Sequence, residues 1–386
     1  MNIGFFKLGR SILFNKSKWS TIGGDNEAPI LLSKIAELNP KDNFYLLGAS
    51  DLNKNLSIVP KNIKSLYKSK IKFNELKEKI EEVKLDCIFF YLGPHNTKAN
   101  INNHVYTDDL SRYAKVLQMF ENYSGPIIHA LNNLSYKLPI IGLCPDNRFV
   151  NNAQDWNFNN RPTLFLAQNN FKRKDSYFID PPNLTKEVKE VQYIYSKLET
   201  VFLIGKQKPK RTIDNRNDFN LILNQGLGTH GLDRFPIIKE YIIDNKIKCN
   251  IFGKWNEDIV EQYKKYFKGQ IRIENLEDKL LKTKFTFIVP ILKEMATAKF
   301  WEMIYYGIIP FFHPYYDSQG NILSKDHYLR VNSPKELKEK IKELNTNEKL
   351  YRNIFNELQN MLTEDLFNGK MLNEKIFKYL KKREIN

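Results

Sequence analysis

Short, unbroken apolar runs separated by helix-period segments recur along this chain, and that rhythm constrains the fold more than any single motif. Asn2–Leu8, Asn43–Leu47 and Leu85–Leu92 (LDCIFFYL) read as strands. Pro126–Ala130 (PIIHA), Leu138–Leu143 (LPIIGL) and Thr163–Ala167 continue the series. A run without apolar–polar alternation leaves no face for water, so these strands are expected in a parallel sheet covered on both sides. Between them, Glu27–Leu38, Phe73–Val83 and Ser111–Asn122 carry helical periodicity. Asp25 or Asn26 is placed to cap the first helix, Pro29 suits its first turn, and Asn39-Pro40 stops it.

The rhythm fades after Arg161-Pro162 and restarts near residue 219. The interval ends in a Lys-, Pro- and Asn-rich stretch, GKQKPKRTIDNRND (Gly205–Asp218), which reads as an exposed linker. Beyond it, strands are expected at Phe219–Leu223, Lys248–Phe252, Ile271–Ile273, Phe285–Pro290 and Ile308–Phe312. Helices are expected at Phe235–Asp244, Glu257–Phe267, Leu276–Thr283 and Ala296–Tyr306. After Ser333-Pro334 the chain reads as helical to its end, with a break near Glu364–Gly369. The expected plan is therefore α/β, with two doubly wound parallel-sheet domains at 1–205 and 206–365. A final basic helix, 366–386, is expected to pack back on the first domain. Ligands of such folds bind beyond the carboxyl ends of the strands, here expected in the cleft between the lobes.

Composition narrows the possibilities. The 386 residues suffice for two cores. The three cysteines (Cys87, Cys144 and Cys249) lie far apart in apolar surroundings and read as buried thiols of a reducing compartment. No CxxC, HExxH or clustered Cys/His set argues for a structural metal. No apolar run reaches the roughly 18–20 residues that span a bilayer, and MNIGFFKLGR turns polar too early for a signal peptide. The net charge of +16 suits a polyanionic partner, although a Lys-, Asn- and Ile-rich composition alone also produces it.

Four constellations carry candidate chemistry. Lys299-Phe300-Trp301-Glu302 opens a helix ahead of Gly307-Ile308-Ile309-Pro310. Glu302 could accept two ribose hydroxyls there, and Lys299 could add to an anion site; an ordinary amphipathic helix fits equally well. Gly226-Leu227-Gly228-Thr229-His230-Gly231-Leu232-Asp233-Arg234 joins a strand to a helix. Gly226 and Gly228 can bare backbone N–H groups to a phosphate, Arg234 can grip a diphosphate with its fork, and His230 can donate once more. The loop matches neither GxGxxG nor a P-loop, and a flexible turn with a surface arginine is the alternative. Pro145-Asp146-Asn147-Arg148 follows the LPIIGL strand, where Asp146 could act as a general base oriented by Arg148, or simply form an Asx turn. Gly23-Gly24-Asp25-Asn26-Glu27 opens the first helix; Glu27 could hold sugar hydroxyls or serve the helix dipole alone.

Taken in order, several segments resemble the GT-B glycosyltransferases of bacteriophages that modify DNA. They are NEAPILLSKIAEL, PDNR followed by NNRPTLFL, LDRFPIIKEYI, IFGK, and KFWEMIYYGIIPFF through YLRVNSPKELKEKIKEL. The resemblance covers most of the chain in short pieces. It implies two Rossmann-like domains of the GT-B fold and an inverting transfer from a UDP-sugar, UDP-glucose first. The acceptor it implies is the hydroxymethyl group of a 5-hydroxymethylpyrimidine, cytosine first, in double-stranded DNA. By that resemblance Asp146 is the base, Arg148 its neighbour, Glu27 a sugar contact, Arg234 a diphosphate contact, Glu302 the ribose carboxylate, and Gly253 a uridine contact. His230 and Lys299 stand where the family has arginines, which keeps a donor and loses the guanidinium fork.

The reaction so implied is an in-line attack, with Asp146 taking the proton and Arg234, His230 and Lys299 stabilising the leaving diphosphate. With no DxD motif, Mg²⁺ or Mn²⁺ is expected at most to stimulate. The target base must flip out of the duplex. Lys172, Arg173 and Lys174, and Lys208, Lys210 and Arg211, are candidate phosphate contacts. A monomer without a membrane partner, working in the cytoplasm of an infected bacterial host, is the accompanying expectation. Two rival readings stand beside it: a GT-B enzyme with a polysaccharide or protein acceptor, and a non-catalytic nucleic-acid-binding protein on a transferase fold.

Overall fold

The computed structural model describes residues 1–7, 12, 14, 27–48, 50–52, 59–66, 73–91, 125–136, 138–144, 164–167, 191–193, 203–209, 211, 216–226, 232–290, 297–318, 320 and 322–383. The chain divides into two units, Met1–Gly205 with Asn368–Asn386, and Lys206–Phe367.

The first unit is built on seven parallel strands: β1 (Asn2–Lys7), β2 (Asn43–Leu46), β3 (Ile63–Ser65), β4 (Cys87–Tyr91), β5 (Ile140–Cys144), β6 (Leu164–Ala167) and β7 (Val191–Tyr193). Their spatial order is β3-β2-β1-β4-β5-β6-β7. The chain steps outward from β1 to β3 and returns beside β1 as β4, so the winding reverses between β1 and β4. Ile3, Phe5, Phe44, Leu46, Phe89 and Tyr91 are fully buried, as continuous apolar runs require. The helices are α1 (Glu27–Leu38), α2 (Phe73–Val83) and α3 (Gly125–Asn132). Asn39 ends α1 by turning its side-chain amide back onto the Ile35 carbonyl at 2.7 Å.

The second unit holds β8 (Asp218–Ile222), β9 (Asn250–Phe252), β10 (Thr283–Ile288) and β11 (Ile309–Phe312), parallel and in the order β11-β10-β8-β9. The winding reverses between β8 and β10, and the loops leaving these two strands part company there. The helices are α4 (Phe235–Ile238), which runs on as a π-helical segment Lys239–Asp244, then α5 (Glu257–Gln262), α6 (Ile273–Lys282), α7 (Lys299–Tyr305), α8 (Pro334–Thr346), α9 (Glu348–Asn360) and α10 (Glu364–Asn368). Pro310 lacks an N–H and sits in β11, the outer strand of its sheet. A buried side-chain chain fixes the strand starts. Asn250 donates to Asn220 Oδ1 at 2.9 Å, Asn220 donates to Thr283 Oγ1 at 2.7 Å, and Thr283 donates to the Lys279 carbonyl at 2.8 Å.

The last helix, α11 (Lys370–Arg383), belongs to the first unit. Leu372, Ile376 and Phe377 enter its core, Phe377 meets Phe89 edge-on at 6.1 Å, and Asn39 donates to Asn373 at 2.7 Å.

Several expectations are corrected. Pro126–Ala130 is part of α3, not a strand: Gly125-Pro126 supplies a helix start, and a five-residue apolar run has no period long enough to tell the two apart. Ile271–Ile273 is not a strand, because Ile273 already opens α6. The C-terminal helical stretch breaks at Asn347, at Met361–Thr363 and, within the expected interval, at Gly369, while Glu364–Asn368 is itself helical. The stretch Gly205–Asp218 is not uniformly exposed, since Arg216 is buried and Arg211 half-buried. The strands β3 and β7 were too short to announce themselves. The expected helix Ser111–Asn122 lies outside the described residues. Among the described residues no helix is long and apolar enough to cross a membrane.

Candidate functional site

The residues leaving the carboxyl ends of β8 and β10 converge on one guanidinium. Arg234 stands at the N-terminus of α4, where Pro236 suits the first turn. Its Nη1 donates to the Asn224 carbonyl at 2.9 Å and its Nε to the Pro290 carbonyl at 3.3 Å. One side chain thus bridges the two loops that separate at the reversal point, where open α/β sheets bind ligands. Among the described residues no carboxylate pairs with it. Burial alone pushes the guanidinium down to about 10, so it remains a cation at neutral pH. A half-buried cation that, among the described residues, is held by carbonyls is left to be neutralised by an incoming anion.

Gly226 lies beside it, and Gly253 packs on the Leu223–Asn224 segment whose Asn224 carbonyl the guanidinium binds. Gly226 has φ +87°, and a Cβ there would lie 2.7 Å from the Leu232 carbonyl and 3.9 Å from Arg234 Nη1. Gly253 has φ +139°, and a Cβ would fall 2.1 Å from the Leu223 carbonyl. No other residue fits at Gly253 without moving backbone. The loop after β8 is also tied to the loop after β9. Asn224 Oδ1 accepts from Lys254 N at 2.8 Å, and Trp255 Nε1 donates to the Leu223 carbonyl at 3.1 Å.

On α7, Lys299 and Glu302 pair with each other at 2.6 Å through Glu302 Oε2. Their spacing of three residues puts them on one helix face. Both are partly exposed, and Glu302 Oε1 carries no protein hydrogen bond among the described residues. His313, just past β11, is buried against Tyr241, Phe287 and Tyr315. Burial lowers it to about 4, so it is neutral at pH 7 and adds no cation.

Gly226, Gly253 and Arg234 are therefore brought together, and Lys299 with Glu302. Gly228 and His230 lie outside the described residues, as do Asp146, Arg148, Lys172, Arg173, Lys174 and Lys210. Glu27 is the first residue of α1, and its side chain is not described. Lys208 is exposed. Arg211 is engaged: it donates to the Tyr305 carbonyl at 3.0 Å and stacks over Tyr305 and Tyr306, each at 5.5 Å. Sequence reasoning passed over Asn224, Gln225 and Asp233, whose side chains organise these loops. The available signal was an Asn-Gln pair directly after an apolar strand, which is also what a plain turn looks like.

No family model matches the chain, and no curated protein matches it in sequence. Solved structures do. The T4 phage β-glucosyltransferase aligns with a TM-score of 0.57 at 14% identity, over 98% of this chain and 99% of its own. An α-glucosyltransferase solved with UDP and a 13-mer DNA containing an HMU base gives 0.56 at 11%, over 97% and 98%. Anabaena HepE in complex with UDP gives 0.53 at 12%, over 99% and 100%. Over the full chain these likenesses establish the GT-B fold, two parallel-sheet α/β domains.

Proposed function

We propose that the protein is a glycosyltransferase that takes a sugar from a UDP-sugar, UDP-glucose first, and transfers it to the hydroxymethyl group of a 5-hydroxymethylpyrimidine in DNA. One observation carries the donor half: a half-buried arginine with no carboxylate partner among the described residues, stretched across the reversal point of the second sheet with Gly226 beside it at positive φ. A diphosphate is the ligand that suits it, being anionic and rich in acceptor oxygens. Lys299 adds charge to the same anion, and Glu302 takes the ribose hydroxyls through its open oxygen. Similar folds support the reading, since the T4 β-glucosyltransferase is a DNA-modifying enzyme solved with and without uridine diphosphoglucose, and the α-glucosyltransferase was solved with UDP and DNA.

In the proposed reaction the acceptor hydroxyl attacks the anomeric carbon opposite the departing UDP, and configuration inverts. Asp146, the second residue after β5, takes the hydroxyl proton, with Arg148 holding it ionised. Arg234, His230 and Lys299 stabilise the charge growing on the diphosphate, the largest contribution expected in such a step. Glu27 holds the sugar. Lys172, Arg173, Lys174, Lys208 and Lys210 track the DNA backbone, so DNA affinity falls steeply with salt. HepE, solved with UDP, matches nearly as well, so the acceptor is the element most in need of a test.

That test is direct. The protein is incubated with duplex DNA containing 5-hydroxymethylcytosine or 5-hydroxymethyluracil and a panel of UDP-sugars, and the digested nucleosides are weighed by mass spectrometry. A sugar adduct that disappears in Asp146→Ala supports the reading and identifies the sugar. UDP binding without any DNA adduct moves the acceptor elsewhere. No adduct and no UDP binding overturns the enzyme reading altogether.

A further inference from the structure

Gln225 uses every polar atom it has, each on a different neighbour. Its backbone N–H donates to the Lys254 carbonyl at 3.0 Å, and its carbonyl accepts from Arg234 N at 3.0 Å. Its side-chain Oε1 accepts from Asn256 N at 2.9 Å, and its Nε2 donates to Asp233 Oδ1 at 3.3 Å. Asp233 Oδ1 in turn accepts from Phe235 N at 2.9 Å, closing the first turn of α4 behind Arg234. Gln225 is 5% exposed, so its own polar atoms lie away from water, where an unmade bond is costly.

The consequence is mechanical. A loop after a strand is ordinarily the least restrained part of an α/β domain. Here the loop after β8, the loop containing Gly253 and the start of α4 meet on one amide. Arg234 spends two donors on the Asn224 and Pro290 carbonyls, and its placement depends on the backbone on either side being held. Its neighbours in chain and space, Gln225 and Asp233, do that holding.

We infer that Gln225 is a positioning residue of the donor site, one that sets the relation between Arg234 and the Gly253 loop and thereby determines affinity for the nucleoside diphosphate. It touches no ligand in this scheme and acts through Asp233 and Asn256. The inference rests on the donor-site reading given above and adds a residue to which no role had been given.

The experiment compares UDP binding by calorimetry and thermal unfolding for four proteins: wild type, Gln225→Leu, Gln225→Glu, and Gln225→Glu combined with Asp233→Asn. Leucine keeps the volume and removes both side-chain bonds. The single Glu substitution keeps the acceptor for Asn256 N and sets a carboxylate against Asp233. In the double variant the carboxylate at position 225 still accepts from Asn256 N, and the amide at position 233 can turn its Nδ2 to that carboxylate, remaking the bond with donor and acceptor reversed at some cost to the cap on Phe235 N. Gln225→Leu and Gln225→Glu should each weaken UDP binding roughly ten- to a hundredfold, as the loss of buried hydrogen bonds implies. The double variant should recover part of that affinity. Unchanged affinity in Gln225→Leu overturns the inference. So does a double variant that folds yet binds as weakly as Gln225→Glu. Should Gln225→Leu fail to fold, the comparison between the single and double Glu variants decides. Failure of wild type to bind UDP overturns the donor-site reading itself, and is told apart by being seen without any substitution.

Discussion

Arg234 Nε lies 3.3 Å from the Pro290 carbonyl, so a side chain rooted beyond β8 closes on the end of β10. The bond joins residues 56 apart in the chain that follow two strands neighbouring in the sheet. It also consumes a donor that a freely rotating arginine would offer to a ligand. The proposed clamp on the diphosphate is therefore part scaffold, part contact.

Removal of the arginine should show both roles. Arg234→Ala is expected to weaken UDP binding by about 1.5–3 kcal/mol, roughly ten- to a hundredfold, the range for hydrogen bonds to charged groups. Arg234→Lys keeps the charge and cannot reach both carbonyls, so it should recover only part of the loss. Calorimetric titration with UDP measures both. Full recovery by lysine would mean that charge alone matters.

Gly253 should be intolerant of any side chain. A Cβ there would sit 2.1 Å from the Leu223 carbonyl at φ +139°, so Gly253→Ala must displace backbone. A loss on the order of 3 kcal/mol is expected. Gly269 is the control: it has φ +73° and nothing within 4 Å, so Gly269→Ala should cost only about 1–2 kcal/mol of left-handed strain. Urea unfolding of the two variants decides, and equal losses would contradict the steric argument.

The Asn220–Thr283 bond, 2.7 Å long and buried between β8 and β10, should register as a coupling. In a double-mutant cycle with Asn220→Ala and Thr283→Val, an interaction energy of about 1–2 kcal/mol is expected. Additive losses would show that the two residues pack without supporting one another.

His313 supplies a pH dependence. Burial lowers it to about 4 from an ordinary 6.5, so between those values the folded chain binds fewer protons than the unfolded one. Its contribution is full above pH 6.5 and is lost as pH falls toward 4, on the order of 3 kcal/mol in all. Protonation would also abolish the acceptor that takes the Tyr315 N–H at 3.2 Å. Asparagine supplies a neutral acceptor in the same place. The fall in urea midpoint between pH 7.5 and pH 5 should thus be smaller in His313→Asn than in wild type. An identical fall would place the acid sensitivity elsewhere.

What the sequence determined by itself was the layering. Runs such as LDCIFFYL cannot sit beside water on either face, so a covered parallel sheet followed from them, and Asn39-Pro40 and Ser333-Pro334 marked helix ends by local chemistry. Glycines at strand ends and an arginine ahead of a helix were visible as candidates for the same reason: φ and capping are local properties. Five-residue runs such as PIIHA were not decidable, because helix and strand periods need more length to diverge. The tertiary structure alone decided which loops meet. Strand order sets β8 beside β10, and only that adjacency puts Arg234 on the Pro290 carbonyl. It likewise makes Gln225 a junction of three segments. Hydrogen bonds between segments distant in sequence depend on three-dimensional proximity, and no local pattern of residues encodes it.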